Sequence, residues 1–464
     1  MKTLTPIAAA MLAVLSANTF ADNNRAILFQ VGGGNMATTD QSDGTVHDNL
    51  IVQAQTGTSN DSDASQITGT YNSVTTHVQL GESNSITSYQ LNNTSLSRIS
   101  VYQTGSMNLT FLNQAETTAS SILINQTGSM NMAFTDQSMA TLSNAVSNQI
   151  GFMNIGVIGQ IETIGSSALV NQVGSMNTAT LGQSESTASS ALINQLGDTN
   201  LSVLGQNGTT AAIAIVNQAG FMNSAGVDQS DVIASSALVN QIGSMNVADI
   251  EQENVTALSF AAINQAGEMN EADIEQDGAI ANAAIINQAG SMNEAFIGQE
   301  DEPILSVAVI NQLGEMNEAD IDYDGGVVLS AAFINQAGEM NEAFIEQDDA
   351  IASAAIINQA GSMNDADIEQ EGGPVVASIA FINQIGEMNE AEILQQDGTA
   401  LSAANINQAG SMNMAEITQT STTLSLASTT QLGGSNMHTT TQTGTGQTAI
   451  VVQIGSGNMG MITQ

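Results

Sequence analysis

A glutamine returns nineteen times along this chain, at intervals of 22 to 25 residues, from Gln30 and Gln55 through to Gln431 and Gln453. Each is followed two residues later by Gly, five later by Asn and eleven later by a second Gln, except where Tyr323 takes that last place. Length alone would suggest about three domains, but so regular a period overrides it. Repeated units cannot each bury a core alone and must stack, which makes an elongated, quasi-one-dimensional body.

Within one repeat the pattern alternates. Counting from Gln359 as position 0, Ser353, Ala355, Ile357 and Gln359 fall on one face, and after Gly361 so do Asn364, Ala366, Ile368 and Gln370. Period-two alternation on both sides of a glycine turn reads as strand, turn, strand. Length variation falls in the second connection (Gln-Asp-Gly, Glu-Gly-Gly-Pro, Asp-Glu-Pro), as expected of a loop. The expected fold class is therefore all-β: a β-solenoid of about 19 repeats, with two parallel sheets in a cross-β-like stack. Amides placed at fixed inward positions would be costly unpaired. Stacked one strand spacing apart, about 4.8 Å, each donates to one neighbour and accepts from the other. Gln126, Asn131, Gln137, Gln265, Asn270, Gln276, Gln359, Asn364, Gln370, Gln408, Asn413 and Gln419 are assigned to such a structural amide ladder.

Residues 1–21 read as a secretory signal peptide, leaving 22–464 as the solenoid. Lys2 supplies the positive start, Ile7 to Leu15 the apolar stretch, and Thr19-Phe20-Ala21 a small-x-Ala cleavage site. With no cysteine, an exported chain is held by packing and hydrogen bonds alone. After the signal, two basic residues (Arg25, Arg98) face 45 acidic ones. That excludes nucleic acid, whose phosphates need Lys and Arg, and anionic membrane surfaces. No later stretch is long and apolar enough for membrane insertion as a helix.

The run Ser402…Gln408-Ala409-Gly410-Ser411-Met412-Asn413-Met414-Ala415-Glu416-Ile417-Thr418-Gln419 has the form Ser-x5-Gln-x-Gly-x2-Asn-x-Ala-x3-Gln. This resembles the curlin repeat of bacterial curli subunits. The serine recurs at Ser97, Ser120, Ser143, Ser166, Ser235, Ser306, Ser330 and Ser378, and becomes Asn282 or Ala212 elsewhere. The resemblance spans Arg25 to Gln464. It implies a secreted subunit that polymerises with itself into extracellular amyloid fibres of a biofilm matrix. It also implies an outer-membrane secretion pore and a nucleator subunit as partners. The chain departs from the family in having many more repeats, in lacking a Gly-rich leader before the first, and in placing Met in the turn. The last unit, Thr448-Ala449-Ile450-Val451-Val452-Gln453, looks somewhat like nucleator repeats.

Each outward position becomes a stripe. Position +4 is Met in thirteen units, Met107 to Met412 among them, and is expected to close one edge of the core as a packed ridge, or else to form an adhesive seam. Position −3 is apolar (Leu169, Leu192, Ile215, Leu238, Ile285, Val309, Phe333, Ile356, Phe381), which marks a contact surface for a second solenoid lying alongside. Position +6 carries Glu271, Glu294, Glu318, Glu342, Asp365 and Glu390 in consecutive units, with further acids at +8 and +10. Mutual repulsion is expected to raise their pKa values. The row reads either as a gatekeeper against premature assembly or as a candidate ladder for loosely bound Ca²⁺ or Mg²⁺. Of the 45 acids, 30 lie in residues 241–400 and one follows residue 400. Near-neutral, uncapped terminal repeats suit end-to-end growth.

No catalytic set can be assembled. His47, His77 and His438 lie outside any ligand spacing, no Ser-His-Asp set or phosphate loop is present, and a uniform stack offers no cleft. The chain is expected to be no enzyme and to need no cofactor. The alternative function is a monomeric secreted solenoid acting as an adhesin or surface-binding protein. An ice-binding face would want a threonine row, and a polysaccharide-cleaving groove would want basic and aromatic side chains.

Overall fold

The computed structural model describes residues 23–42, 44–253, 256–300, 303–323, 327–371, 373 and 375–464. The expected signal segment lies outside them. Among the described residues there are thirty-eight strands and no helix. Each repeat contributes one strand to each of two parallel sheets, so the chain is a β-solenoid of nineteen turns. Eight turns belong to a first compact unit, Met1–Ala211, and eleven to a second, Ala212–Gln464.

Within each unit like sits on like. In the first, Gln172 lies on Gln195 and Gly174 on Gly197. In the second, Asn335 lies on Asn358, Gln336 on Gln359 and Gly338 on Gly361. Parallel pairing in this register follows from the constant repeat: a one-residue slip would turn every aliphatic side chain outward. Strands Ala354–Ser362 and Asp365–Glu371 show the outcome, with Ala355, Ile357, Ala366 and Ile368 buried. Burial of each Ile contributes roughly 1.5–3 kcal/mol.

The first turn is made by two left-handed positions. Gly361 has φ 125° and Met363 φ 54°, and the same pair recurs at Gly338 and Met340 and at Gly410 and Met412. Here the expectation for methionine is corrected. Its side chain does not close the core; it stands in solvent, 44% exposed at Met363 and 54% at Met412. The left-handed backbone swings Cβ away from the packed interior. What closes the turn is Asn: Asn364 donates to Asn341 Oδ1 at 2.9 Å and to the Gly386 carbonyl at 3.0 Å.

The described part of the second connection is regular rather than irregular loop. Its central residue stacks in a column of parallel bridges, His47 to Thr210 in the first unit and Ile233 to Thr423 in the second. The residue before it is buried, as at Thr94, Thr117, Val327, Ala350 and Val375. At Thr70, Thr94, Thr256 and Thr399 the hydroxyl donates to the next turn's second Gln carbonyl, as from Thr256 to Gln276 at 3.0 Å, whereas Thr117, Thr163 and Thr422 donate to a serine hydroxyl.

Tyr323 breaks one ladder. It is fully buried and donates to the Val307 carbonyl at 3.1 Å, while Gln299 Nε2 and Gln347 Oε1, its neighbours above and below, have no partner. A buried polar group left unpaired costs roughly 1–3 kcal/mol. Tyr323→Gln rejoins the ladder at the loss of some apolar packing. We expect a net gain of about 1 kcal/mol, read as a higher urea midpoint of the freshly purified chain. A lower midpoint would mean that the tyrosine's packing outweighs two orphaned amides.

Candidate functional surfaces

The inward amides form three columns. Gln103 donates to Gln126 at 2.9 Å and Gln126 to Gln149 at 2.8 Å; Gln265 continues to Gln288, Gln359 to Gln384 and Gln408 to Gln431 in the same sense. The second column runs likewise from Gln137 to Gln160, Gln276 to Gln299, Gln370 to Gln395 and Gln419 to Gln442, at 2.6–3.0 Å. The Asn column points the other way: Asn131 donates to Asn108, Asn270 to Asn246 and Asn413 to Asn389. Beyond the first turn, first-column Gln side chains also donate across the core, as Gln149 does to the Met132 carbonyl and Gln359 to the Glu342 carbonyl at 2.6 Å. Amides used so fully are structural, tying turn to turn and sheet to sheet, and have little left for a ligand.

His77 belongs to this interior. Ser62 Oγ and Ser88 Oγ lie 2.9 and 2.8 Å from its two ring nitrogens, and burial pushes its pKa down to about 3. It is a neutral core histidine.

The two outer faces of the second unit differ sharply. On the first-strand side, between Ser236 and Ala409, the four outward rows hold one Ser, Asn, Ala and larger apolar residues and no charge. The −1 row is a continuous amide ladder, Asn240 to Asn264 at 2.8 Å through Asn335 to Asn358 at 2.9 Å. Beside it runs a shallow trough of about 590 Å³, floored by Ala266, Ala289, Ala337 and Ala360. The expected −3 apolar row lies half-buried on this face, as at Ile285, Phe333 and Ile356.

The second-strand side is acidic. Glu271, Glu294, Glu318, Glu342, Asp365 and Glu390 stand exposed in one line, one above another in register. Among the described residues no three acidic or histidine side chains gather closely enough to hold a metal ion. The pKa values of Glu294, Glu342 and Asp365 are raised, but burial is the leading cause and repulsion from neighbouring carboxylates follows it at the two glutamates. That corrects the expectation that repulsion dominates.

The largest shifts on this face fall in the neighbouring +8 row, whose acids the sequence showed without their packing beside phenyl rings. There Asp320 sits between Phe296 and Phe344, and Asp367 between Phe344 and Glu392. Phenyl rings thus flank Asp320 on both sides and Asp367 on one, and one oxygen of each carboxylate is buried without a partner. Burial first, then neighbouring acids, pushes Asp273 and Asp320 up to about 6 and Asp367 up to about 7. The available signal was the interleaving of Phe296 and Phe344 with acids in a single row.

In the first unit the same row carries Phe111 and Phe134, and Tyr89 two positions along in its own strand packs on Phe111 with ring centroids 5.9 Å apart. The described surfaces thus offer ladders, an uncharged apolar face and an acidic face. No family model matches this chain, and no curated protein matches it.

Proposed function

We propose that this protein is a structural subunit of secreted, curli-like amyloid fibres at the cell surface, assembling end to end by continuing its own solenoid. The observation that carries this reading is the sameness of the joints. Within each unit one turn meets the next through the same backbone register and the same Gln and Asn ladders, apart from the break at Tyr323 and a bulge between Thr420 and Thr423. A turn of another copy can therefore add to an open edge with contacts the chain already makes internally.

The terminal described turns present such edges. Leu28 is 46% exposed, whereas Gln53, in the same row one turn on, is buried. At the other end Val451 and Ile462 are half-exposed, whereas Thr429 and Thr440 in the preceding turn are buried. A nucleator subunit and an outer-membrane pore accompany this function through the resemblance to curlin repeats.

The test charges one edge. Val451→Glu with Ile462→Glu sets one carboxylate in each of the two inward rows on which a copy would stack, where desolvation costs several kcal/mol. Growth of thioflavin-positive, SDS-resistant filaments should slow by about tenfold or more, with the circular dichroism of the soluble chain nearly unchanged. A wild-type chain that stays soluble and monomeric would instead favour the adhesin.

A further inference from the structure

We propose that the uncharged face of the second unit is a pairing surface for a second copy of this chain, docked face to face and running antiparallel. The pairing does not rest on filament growth.

The first argument is shape. In the +1 row large aliphatic side chains recur every third turn, at Ile242, Leu313 and Ile385, with pairs of alanine between them. Ile242 and Leu313 are 63% and 62% exposed, and the alanines floor the trough. At about 4.8 Å per turn the knobs are spaced by roughly 14 Å. A two-fold axis along the strand direction lays this row on itself in reverse order. Setting the axis between the turns of Leu313 and Ala337 puts Leu313 opposite the partner's Ala337, Ile385 opposite the partner's Ala266 and Ile242 opposite the partner's Ala409. The same operation sets Phe381 of the −3 row against the partner's Ala262. In the +1 row every knob meets a hole, which is how an isologous interface satisfies itself, while in the −3 row Ile285 and Val309 meet the partner's Ile356 and Phe333 as apolar pairs.

The second argument is chemistry. Between Asn240 and Asn358 the Asn of the −1 row form a ladder in which each inner member spends one N–H and one lone pair, as in Asn287 to Asn311 at 2.8 Å, while Asn407 donates to Asn405 in its own strand. One donor and one acceptor per amide remain. The two-fold brings Asn row to Asn row, so these pair across the seam and no buried amide need be left unsatisfied.

The third is charge and area. The formal charge is −42 and 30 of the 45 acids lie in residues 241–400, where the opposite face holds the acidic rows, so two copies of this unit repel through that face and not through this one. Eight turns by four outward rows cover roughly 750 Å² per copy, close to the ~800 Å² per partner of a stable interface. Glu268, Glu315, Glu339 and Glu387 line one rim and face their counterparts across it. Salt must therefore tighten the pair.

The experiment is sedimentation velocity on freshly purified full-length chain at micromolar concentration, before filaments form, at low and at high salt. We expect a dimer that strengthens with salt. Leu313→Lys and Ile385→Lys should each weaken it by at least about tenfold, with circular dichroism unchanged, while Glu342→Lys on the acidic face should leave it intact. Because the chain has no cysteine, Ala337→Cys gives a clean reporter. A short bis-maleimide should cross-link it into a dimer and should not cross-link Glu342→Cys. A wild-type chain that stays monomeric at every salt concentration overturns the proposal, as does a dimer indifferent to Leu313→Lys. Filaments grown from a strictly monomeric chain would sink the pairing and leave the fibre reading standing; dimers without filaments would do the reverse.

Discussion

Gly338→Ala is expected to cost roughly 3–5 kcal/mol and to split the unfolding of the second unit into two transitions. A Cβ built on Gly338 would lie 1.8 Å from the Gly361 carbonyl oxygen, and φ there is 132°. The colliding atom is backbone, already placed by the parallel register, so no side-chain rotation relieves it. The glycines at this position form a column, and the same collision, at 1.8–2.0 Å, awaits a methyl group at Gly151, Gly267 or Gly410. Relief requires two turns to separate, which breaks Gln and Asn ladder bonds at that joint. A stack held by nearest-neighbour joints then unfolds on either side of the flaw with less cooperativity. Gly182→Ala is the control, because nothing lies within 4 Å of its Cβ. It should be neutral or stabilising by about 0.5–1 kcal/mol. Urea titration followed by circular dichroism checks both, and equal effects would refute the close-approach account.

The acidic face should make the second unit less stable, and assembly slower, as pH rises through the range from about 4 to about 7. An aspartate whose folded pKa lies above its unfolded value, near 4, binds more protons folded than unfolded in that window. Asp273 and Asp320, at about 6, and Asp367, at about 7, are of this kind. Asp249, Glu251, Glu346, Glu369 and Glu392 shift the same way, with burial as the first cause and acidic neighbours adding to it. Their penalty is absent below the unfolded pKa and complete above the folded one. His438 works in the opposite sense, since burial lowers its pKa and folding must exclude its charged form below about pH 6.5. It is one group against many.

Moving from about pH 8 to about pH 5 should therefore shorten the lag before filaments by several-fold. The triple variant Asp273→Asn, Asp320→Asn, Asp367→Asn should shorten it at high pH and flatten the dependence. Replacing Glu271, Glu294, Glu318, Glu342, Asp365 and Glu390 by Gln should accelerate assembly less steeply with pH, because these side chains stand in solvent. An unchanged lag and pH profile in both variants would reduce the face to a solubilising surface.

The architecture was legible because the repeat states it nineteen times. Alternation around Gln359 placed Ile357 and Ile368 inside, and both are fully buried. The methionine row was not legible from residue type. Apolar Met suggests burial, whereas the left-handed backbone at Met363 decides exposure. The clue was substitutional: the same position is Gly34, Ser59, Ser83, Ser435 and Gly457 in other turns, all with positive φ. The second connection hid its bridge column because its length varies, although a small or β-branched residue such as Thr94, Val327 or Val375 keeps its distance from the following Gln. The knobs Ile242, Leu313 and Ile385 escaped notice because a three-turn period appears only once the turns are stacked.

The most direct test of the central claim is cryo-electron microscopy of filaments grown from the full chain. The expected map shows layers about 4.8 Å apart, each a single two-sheet turn, with the acidic turns recurring once per subunit of nineteen layers and the register carried unbroken across the joint between copies. A filament in which every chain occupies one layer, with each residue repeating at every step, would contradict it, as would a chain that forms no filament at all.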